Sequence, residues 1–168
     1  MVIETARGAR NKMAYDEELG AFRLKKVLPE GMTFPYDFGF IPSTLADDGD
    51  PLDALVLMDE PGTMGCVVRC RVVGVILGEQ TEGKKKRRND RLIAVAIPSH
   101  THADITRLEN LNATLLEELE KFFVNYHAVD GEKFRVLGCK GPGKARKLVA
   151  ETARRWRKEN GKKARDRS

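Results

Sequence analysis

The sequence is poor in cysteine and has no long apolar run. Three cysteines among 168 residues make an odd and sparse set, which is a poor disulfide framework. Cys66 and Cys70 lie in a stretch typical of a strand, where four residues span about 13 Å, too far for a disulfide or a shared metal. We expect buried, unreactive thiols. Without a run long enough to cross a bilayer or an apolar signal-peptide core, a cytoplasmic protein is expected.

The positive charge is unevenly distributed. The net charge is +5, and much of the excess lies in the run KKKRR at 84–88 and in the segment 140–167. No aromatic residues alternate with these lysines, as a base-stacking surface requires. A solvated loop and helix face are therefore favoured over nucleic-acid contact. With no repeat or linker, we expect one domain over residues 1–168, ending in a basic helical tail from about residue 143.

Apolar periodicity predicts strands in the first part of the chain and helices in the second. Strands are expected at 22–27, 33–42, 54–58, 66–76 and 91–98, with a polar loop at 79–90. The aromatic residues of 33–42 recur at every second position and should share one buried face. Helical spacing begins after Asn112, a plausible N-cap, and returns from about residue 143. This order predicts an α+β fold, with helices packed beside a strand barrel or sheet.

Four aspartates crowd into the segment 44–58, at positions 47, 48, 50 and 53. Their hard oxygen ligands suit magnesium, calcium or manganese. Counted from Asp48, an EF-hand loop would need glycine where Asp53 stands and glutamate where Asp59 stands, so that motif is excluded. Capping of backbone amides in a turn accounts for one or two aspartates, not four. The segment indicates a magnesium site whose coordination is completed by water and phosphate oxygens.

The stretch DDGDPLDALVL at 47–57 resembles the Asp-x-Asp-Pro-x-Asp signature of the family I soluble inorganic pyrophosphatases. ETARGARNK, FPYDFGFIP, RCRVVGVI and FFVNYH resemble other segments of that family, in the same order along residues 3 to 130. The resemblance implies a five-stranded OB-like β-barrel with flanking C-terminal helices. It also implies Mg²⁺-dependent hydrolysis of pyrophosphate to two phosphates, and a homo-oligomer that in bacterial relatives is commonly a hexamer.

The same resemblance assigns roles to individual residues. Asp50 matches the general base, while Asp48 and Asp53 match the central metal ligands and Glu4 an outer metal-binding carboxylate. The positions that match phosphate-binding residues are Lys12, Lys26, Arg91 and Tyr126. Lys26 and Arg91 stand where the family usually has arginine and lysine respectively.

Several positions depart from the family pattern. Ala14 stands where a second outer glutamate is usual, Phe34 and Phe38 replace tyrosines, and His127 replaces a lysine.

Asn89 aligns with a metal-binding aspartate, and Asp90 follows it. On a regular strand Asn89 shares a face with Arg91, whereas a bulge would turn Asp90 into the site. We favour Asp90 as the ligand, because an amide gives up a negative charge, with Asn89 as the alternative. A third possibility is a site that has lost this ligand and holds fewer metals.

Two other functions compete with pyrophosphate hydrolysis. One is an inactive barrel that binds nucleic acid through its basic run and tail. An inactive site, however, has no need for mutually repelling aspartates. The other is a phosphohydrolase acting on a different substrate, such as short polyphosphates or nucleotides. His100 and His102 form a weak metal signal and are expected to be loop or surface histidines.

Overall fold

The computed structural model describes residues 1–165, and of residues 162–165 it describes the helical backbone only. This part of the chain contains nine strands: β1 Val2–Thr5, β2 Asn11–Asp16, β3 Ala21–Val27, β4 Asp37–Ile41, β5 Leu52–Leu57, β6 Cys70–Glu82, β7 Lys85–Arg88, β8 Arg91–Ala96 and β9 Lys133–Lys140. It also contains the helices α1 Ala113–Ala128 and α2 Pro142–Arg165, and a short 3-10 helix at Leu108–Asn110. Within these residues, no helix is both long and apolar enough to cross a membrane.

The main sheet has the strand order β1-β4-β5-β8-β6-β7, with β9 also paired to β6. All of its pairs are antiparallel except β5 with β8. These two central strands are almost continuously apolar, as expected of strands buried on both faces. Their register pairs Ala54 with Leu92. This register therefore places Asp53 and Arg91, which precede Ala54 and Leu92 in their strands, at the same edge of the core.

Alternating residues of β5 and β8 pack into two clusters on opposite faces of the sheet. One cluster joins Leu55 and Ile93 to Leu119 and Phe123 of α1. The other joins Ala54 and Leu92 to Ala145, Leu148 and Val149 of α2. β2 and β3 form a separate antiparallel pair.

The α+β class predicted from the order of elements is confirmed. Asn112 caps α1 as expected, because its side-chain oxygen accepts a hydrogen bond from the Thr114 amide at 2.9 Å. The second helix begins at Pro142, one residue before the predicted start. The end of the predicted basic tail, residues 166–168, lies outside the described residues.

The prediction of a polar loop at 79–90 is wrong, because this segment forms the β6–β7 hairpin. Most of the basic run lies on β7, an edge strand paired with the end of β6. Glu79 of β6 forms ion pairs with Lys86 at 3.5 Å and with Arg135 of β9 at 3.1 Å. These cross-strand charges stabilise lysines in a strand, and lysines on an edge also discourage further strand pairing. Gly83, with φ +58°, permits the turn.

Two other local predictions need correction. β4 begins only at Asp37, because Pro35 has no N–H to donate and the backbone of Phe34 bonds instead with Gly8 and Ala9. Likewise, β6 begins at Cys70, so Cys66 lies before the strand and is exposed rather than buried. Burial does raise the pKa of the Cys70 thiol. All three cysteines are free.

Candidate active site

The acidic loop, residues 44–53, connects β4 to the start of β5 and is held by its own hydrogen bonds. Buried Thr44 links its two ends: its hydroxyl donates to the Ile41 carbonyl at 2.6 Å and accepts from the Leu52 amide at 2.9 Å. Near the tip, Asp48 accepts a bond from the Asp50 amide at 3.2 Å. These bonds leave Asp50 exposed to solvent.

Asp47, the first of the four aspartates, anchors the loop to α2. Its carboxylate pairs with Arg155, and the neighbouring Leu45 amide donates to the Thr152 carbonyl at 3.1 Å. The side chain is therefore engaged by a cation of the protein itself. The other three aspartates of the loop are Asp48, Asp50 and Asp53.

Asp48 and Asp53 repel each other at the base of the loop. Burial, and then the charge of Asp53, raise the pKa of Asp48 to about 6. Burial also raises the pKa of Asp53, against the opposing influence of Arg91 and Lys12. A cation between these carboxylates would relieve the repulsion. Their hard oxygen donors fit Mg²⁺, which retains several waters and needs few protein ligands. Among the residues that the structure describes, no group of three or more acidic, histidine or cysteine side chains is placed to hold a metal ion.

Two buried ion pairs lie beside the acidic loop. Lys12 donates to Glu4 at 2.9 Å, and Arg91 approaches Asp53 at 2.7 Å. Phe38 separates the two cations, with its ring centroid 4.3 Å from the Lys12 ammonium and 6.0 Å from the Arg91 guanidinium. Burial lowers the pKa of Lys12, although Glu4 and Asp53 oppose the shift. Glu4, expected to bind metal, is thus already paired with a cation.

Asp90, favoured as a ligand from the sequence, is engaged by neighbouring groups of the protein. Its carboxylate accepts hydrogen bonds from the Gly78 amide at 2.9 Å and from Arg88 at 2.5 Å, so it serves the β6–β7 hairpin. Asn89 lies on the side of Arg91, as alternation on a regular strand requires. However, its side-chain oxygen accepts a bond from the Arg91 guanidinium. This oxygen faces a cation of the protein instead of a free space for metal.

Lys26 and Tyr126 meet between β3 and α1. The Lys26 ammonium lies 3.6 Å from the centroid of the Tyr126 ring, donates to the Tyr126 carbonyl at 3.3 Å and pairs with Asp130. Burial raises the pKa of Tyr126, which therefore keeps its hydroxyl proton. Two of the four residues that resemblance assigned to phosphate binding are thus in contact.

The substituted positions have defined surroundings. Phe34 and Phe38 are both buried in the core, where their rings pack 5.4 Å apart. His127 stacks on Phe134 with 4.8 Å between ring centroids, and its Nδ1 lies 2.9 Å from Glu132. Sequence reasoning gave no role to Glu132, because nothing in its local pattern indicates a buried contact.

Two other features lie apart from the acidic loop and its neighbouring ion pairs. Asp59 braces the turn that carries His100 and His102, accepting bonds from Ser99 at 2.6 Å and from the His100 amide at 2.9 Å. The expectation of loop histidines is confirmed. A cleft of about 450 Å³ lies between α1 and β9, and none of the predicted site residues lines it.

The chain resembles known proteins over most of its length. A family model described as inorganic pyrophosphatase matches residues 1–157. The chain is 40% identical over 154 residues to an inorganic pyrophosphatase of Thermus thermophilus, covering 92% of this chain and 85% of the relative. It is 34% identical over 157 residues to one from a Nostoc species, covering 94% of this chain and 90% of the relative.

Solved structures give the same result. The crystal structure of the inorganic pyrophosphatase from Thermus thermophilus matches with a TM-score of 0.87 and 38% identity, covering 94% of this chain and 90% of that one. The Helicobacter pylori inorganic pyrophosphatase matches with a TM-score of 0.86 and 31% identity, covering 93% and 91%. The expected OB-like fold class is confirmed by these matches.

Proposed function

The chain belongs to the inorganic pyrophosphatase family, whose metal-dependent members hydrolyse pyrophosphate to two phosphates, and we propose that the acidic loop and its neighbouring cations perform this reaction. The observation that carries the proposal is the pair Asp48 and Asp53, two carboxylates whose pKa values burial raises, beside the buried cations Lys12 and Arg91. Such a site favours a divalent cation on one side and a polyanion on the other.

Mg²⁺ is the proposed metal, held by Asp48 and Asp53. When bound, it supplies positive charge to the phosphate oxygens and lowers the pKa of a bound water. Asp50, exposed at the loop tip, is the proposed general base and accepts the proton of the attacking water. Its backbone is tied to Asp48 and Ala46, so the base is held at a fixed place relative to the ligands.

Four residues are proposed to bind phosphate: Lys12, Lys26, Arg91 and Tyr126. We infer that fewer metal ions bind here than in a site with a full set of carboxylates. Ala14 offers no donor, the Asn89 oxygen faces Arg91, and Glu4 is neutralised by Lys12. On this side of the site, the substrate charge is balanced by side chains.

The nucleic-acid alternative has little support. The basic run at 84–88 lies mainly on a strand, where Lys86 and Arg88 pair with Glu79 and Asp90. Hydrolysis of a different phosphoanhydride remains an alternative that substrate comparison can test.

Phosphate release should be measured from pyrophosphate, tripolyphosphate and ATP, with and without Mg²⁺. Asp50→Asn removes the base with little change of shape and should lower turnover by about 10²–10⁴. Asp47→Asn makes the same chemical change in the same loop and should retain most of the wild-type rate. If Asp50→Asn hydrolyses pyrophosphate as fast as the wild type at saturating Mg²⁺, Asp50 is not the base.

Three further properties are proposed on the strength of family membership and sequence. The chain forms one pyrophosphatase domain over residues 1–168, it assembles as a homo-oligomer, with a hexamer the expected form, and it works in the cytoplasm. Its free cysteines fit a reducing compartment.

A further inference from the structure

A line of hydrogen-bonded side chains runs from Arg91 away from the acidic loop. The guanidinium donates to the Asn89 oxygen, and the Asn89 amide donates to the Gln80 oxygen. The Gln80 amide then donates to Glu132 at 2.7 Å, and the same Glu132 oxygen lies 2.9 Å from His127 Nδ1. We call Arg91, Asn89, Gln80, Glu132 and His127 the relay. It joins β8, β6, the α1–β9 connection and α1.

From Arg91 to Glu132, the relay has a single donor direction. Reversing the Asn89 amide would place its N–H₂ against the Arg91 donor, and reversing Gln80 would place its oxygen against the Glu132 carboxylate. A positive charge at one end and a negative charge at the other therefore select one orientation for both amides. The burial that lowers the pKa of His127 favours the neutral ring, which donates from Nδ1 to Glu132.

Burial makes the relay bonds of Arg91, Asn89 and His127 costly to lose. Arg91, Asn89 and His127 are only 4%, 6% and 4% exposed. A buried polar group that loses its partner costs more than the bond itself contributes. Apart from the relay, Arg91 Nη1 contacts Asp53 at 2.7 Å and donates to the Asp90 carbonyl at 3.3 Å, and the Phe123 ring centroid lies 5.4 Å from the guanidinium carbon. Rings restrain a guanidinium's plane but not the direction of its N–H groups.

We propose that Gln80 and Glu132 are positioning residues of this pyrophosphatase. Acting through Asn89, they fix the rotation of the Arg91 guanidinium, whose Nη1 also contacts Asp53. A guanidinium binds a phosphate well only when its planar fork faces the oxygens. The inference rests on the proposed role of Arg91 in binding substrate, and it explains why a neutral asparagine lies buried, and a glutamine half-buried, beside Arg91.

The test begins with Gln80→Met, which keeps the length of the side chain and removes both relay bonds. The KM for pyrophosphate should rise about tenfold, with a much smaller change in kcat, since a misoriented fork weakens binding by roughly one hydrogen bond. Arg135→Met is the matched control, because it breaks the exposed ion pair with Glu79 across the same two strands, β6 and β9. It should leave KM unchanged. Thermal melting of both variants separates loss of fold from loss of binding.

A double-mutant cycle with Arg91→Lys separates positioning from a general structural role. Lysine keeps the charge but has no fork to orient, so Arg91→Lys should raise KM, and adding Gln80→Met should raise it little further. If the two effects multiply, Gln80 acts independently of Arg91 and the proposal is wrong.

An unchanged KM in Arg91→Lys would also overturn the proposal. The loss of turnover in Asp50→Asn would still support the proposed function. If Gln80→Met does not fold, Glu132→Gln replaces it in the double-mutant cycle with Arg91→Lys. Effects on KM that multiply would then contradict the proposal, and effects that do not multiply would support it.

Discussion

Thr44 offers a direct test of how the fold holds the acidic loop. Its hydroxyl is the shared partner of the Ile41 carbonyl, at the end of β4, and the Leu52 amide, at the start of β5. Thr44 and Leu52 are 2% and 1% exposed, so water cannot easily replace the hydroxyl. Thr44→Val keeps the shape of the side chain and removes both bonds.

The expected loss of stability can be derived from these contacts. A buried donor or acceptor that loses its partner costs about 1–3 kcal/mol. Ile41 is only half-buried, so most of the cost comes from the Leu52 amide. We expect Thr44→Val to lower the free energy of unfolding by about 2–4 kcal/mol. Thr44→Ser keeps the hydroxyl and loses one methyl, so it should cost only about 1 kcal/mol.

Urea unfolding at fixed Mg²⁺, with the same slope for all three proteins, measures this difference. The initial rate of phosphate release should fall in the same order, wild type above serine above valine, because Asp48 and Asp50 depend on the loop. A valine variant as stable as the serine variant would show that the hydroxyl bonds contribute little. The loop would then be held by α2 instead.

Two further predictions concern the metal and the assembly. Mg²⁺ at about 100 times its Kd should stabilise the folded protein by about 2.7 kcal/mol and so raise its Tm. The double variant Asp48→Ala, Asp53→Ala should lose this rise in Tm, whereas the control Glu17→Ala, Glu18→Ala, at two exposed positions, should keep it. An unchanged rise in the first variant would place the metal elsewhere. Light scattering at micromolar concentration should return a multiple of the 18.8 kDa chain mass, and a monomer mass would contradict the proposed homo-oligomer.

Local sequence was sufficient where a segment carries its own determinants. The aspartate pattern at 47–57 lies within one loop and one strand, so its clustering follows from chain connectivity. The N-cap of α1 likewise depends on Asn112 and its near neighbours. β5 and β8 are apolar enough to be recognised as buried strands without knowledge of their partners.

The relay could not be predicted in this way. Gln80 and Glu132 are 52 positions apart and meet only because β9 pairs with β6. β9 itself alternates charged and apolar residues weakly, in KFRVLGCK, and it interrupts the helical region in which no strand was expected. The basic hairpin was missed for a similar reason, since Glu79 stabilises its lysine from across the strands.

Asn89 and Asp90 show which physical argument prevails when two conflict. Charge balance favoured Asp90 as a ligand, whereas strand alternation placed Asn89 beside Arg91. Alternation decided the placement of the side chains, since Asn89 contacts Arg91 while the Asp90 carboxylate accepts bonds from the Gly78 amide and Arg88. A carboxylate at position 89 would compete with Asp53 for the same guanidinium. The Asn89 amide instead links Gln80 to Arg91 through its two hydrogen bonds and adds no charge. The missing carboxylate is therefore consistent with a site in which an oriented guanidinium balances charge that a metal would otherwise balance.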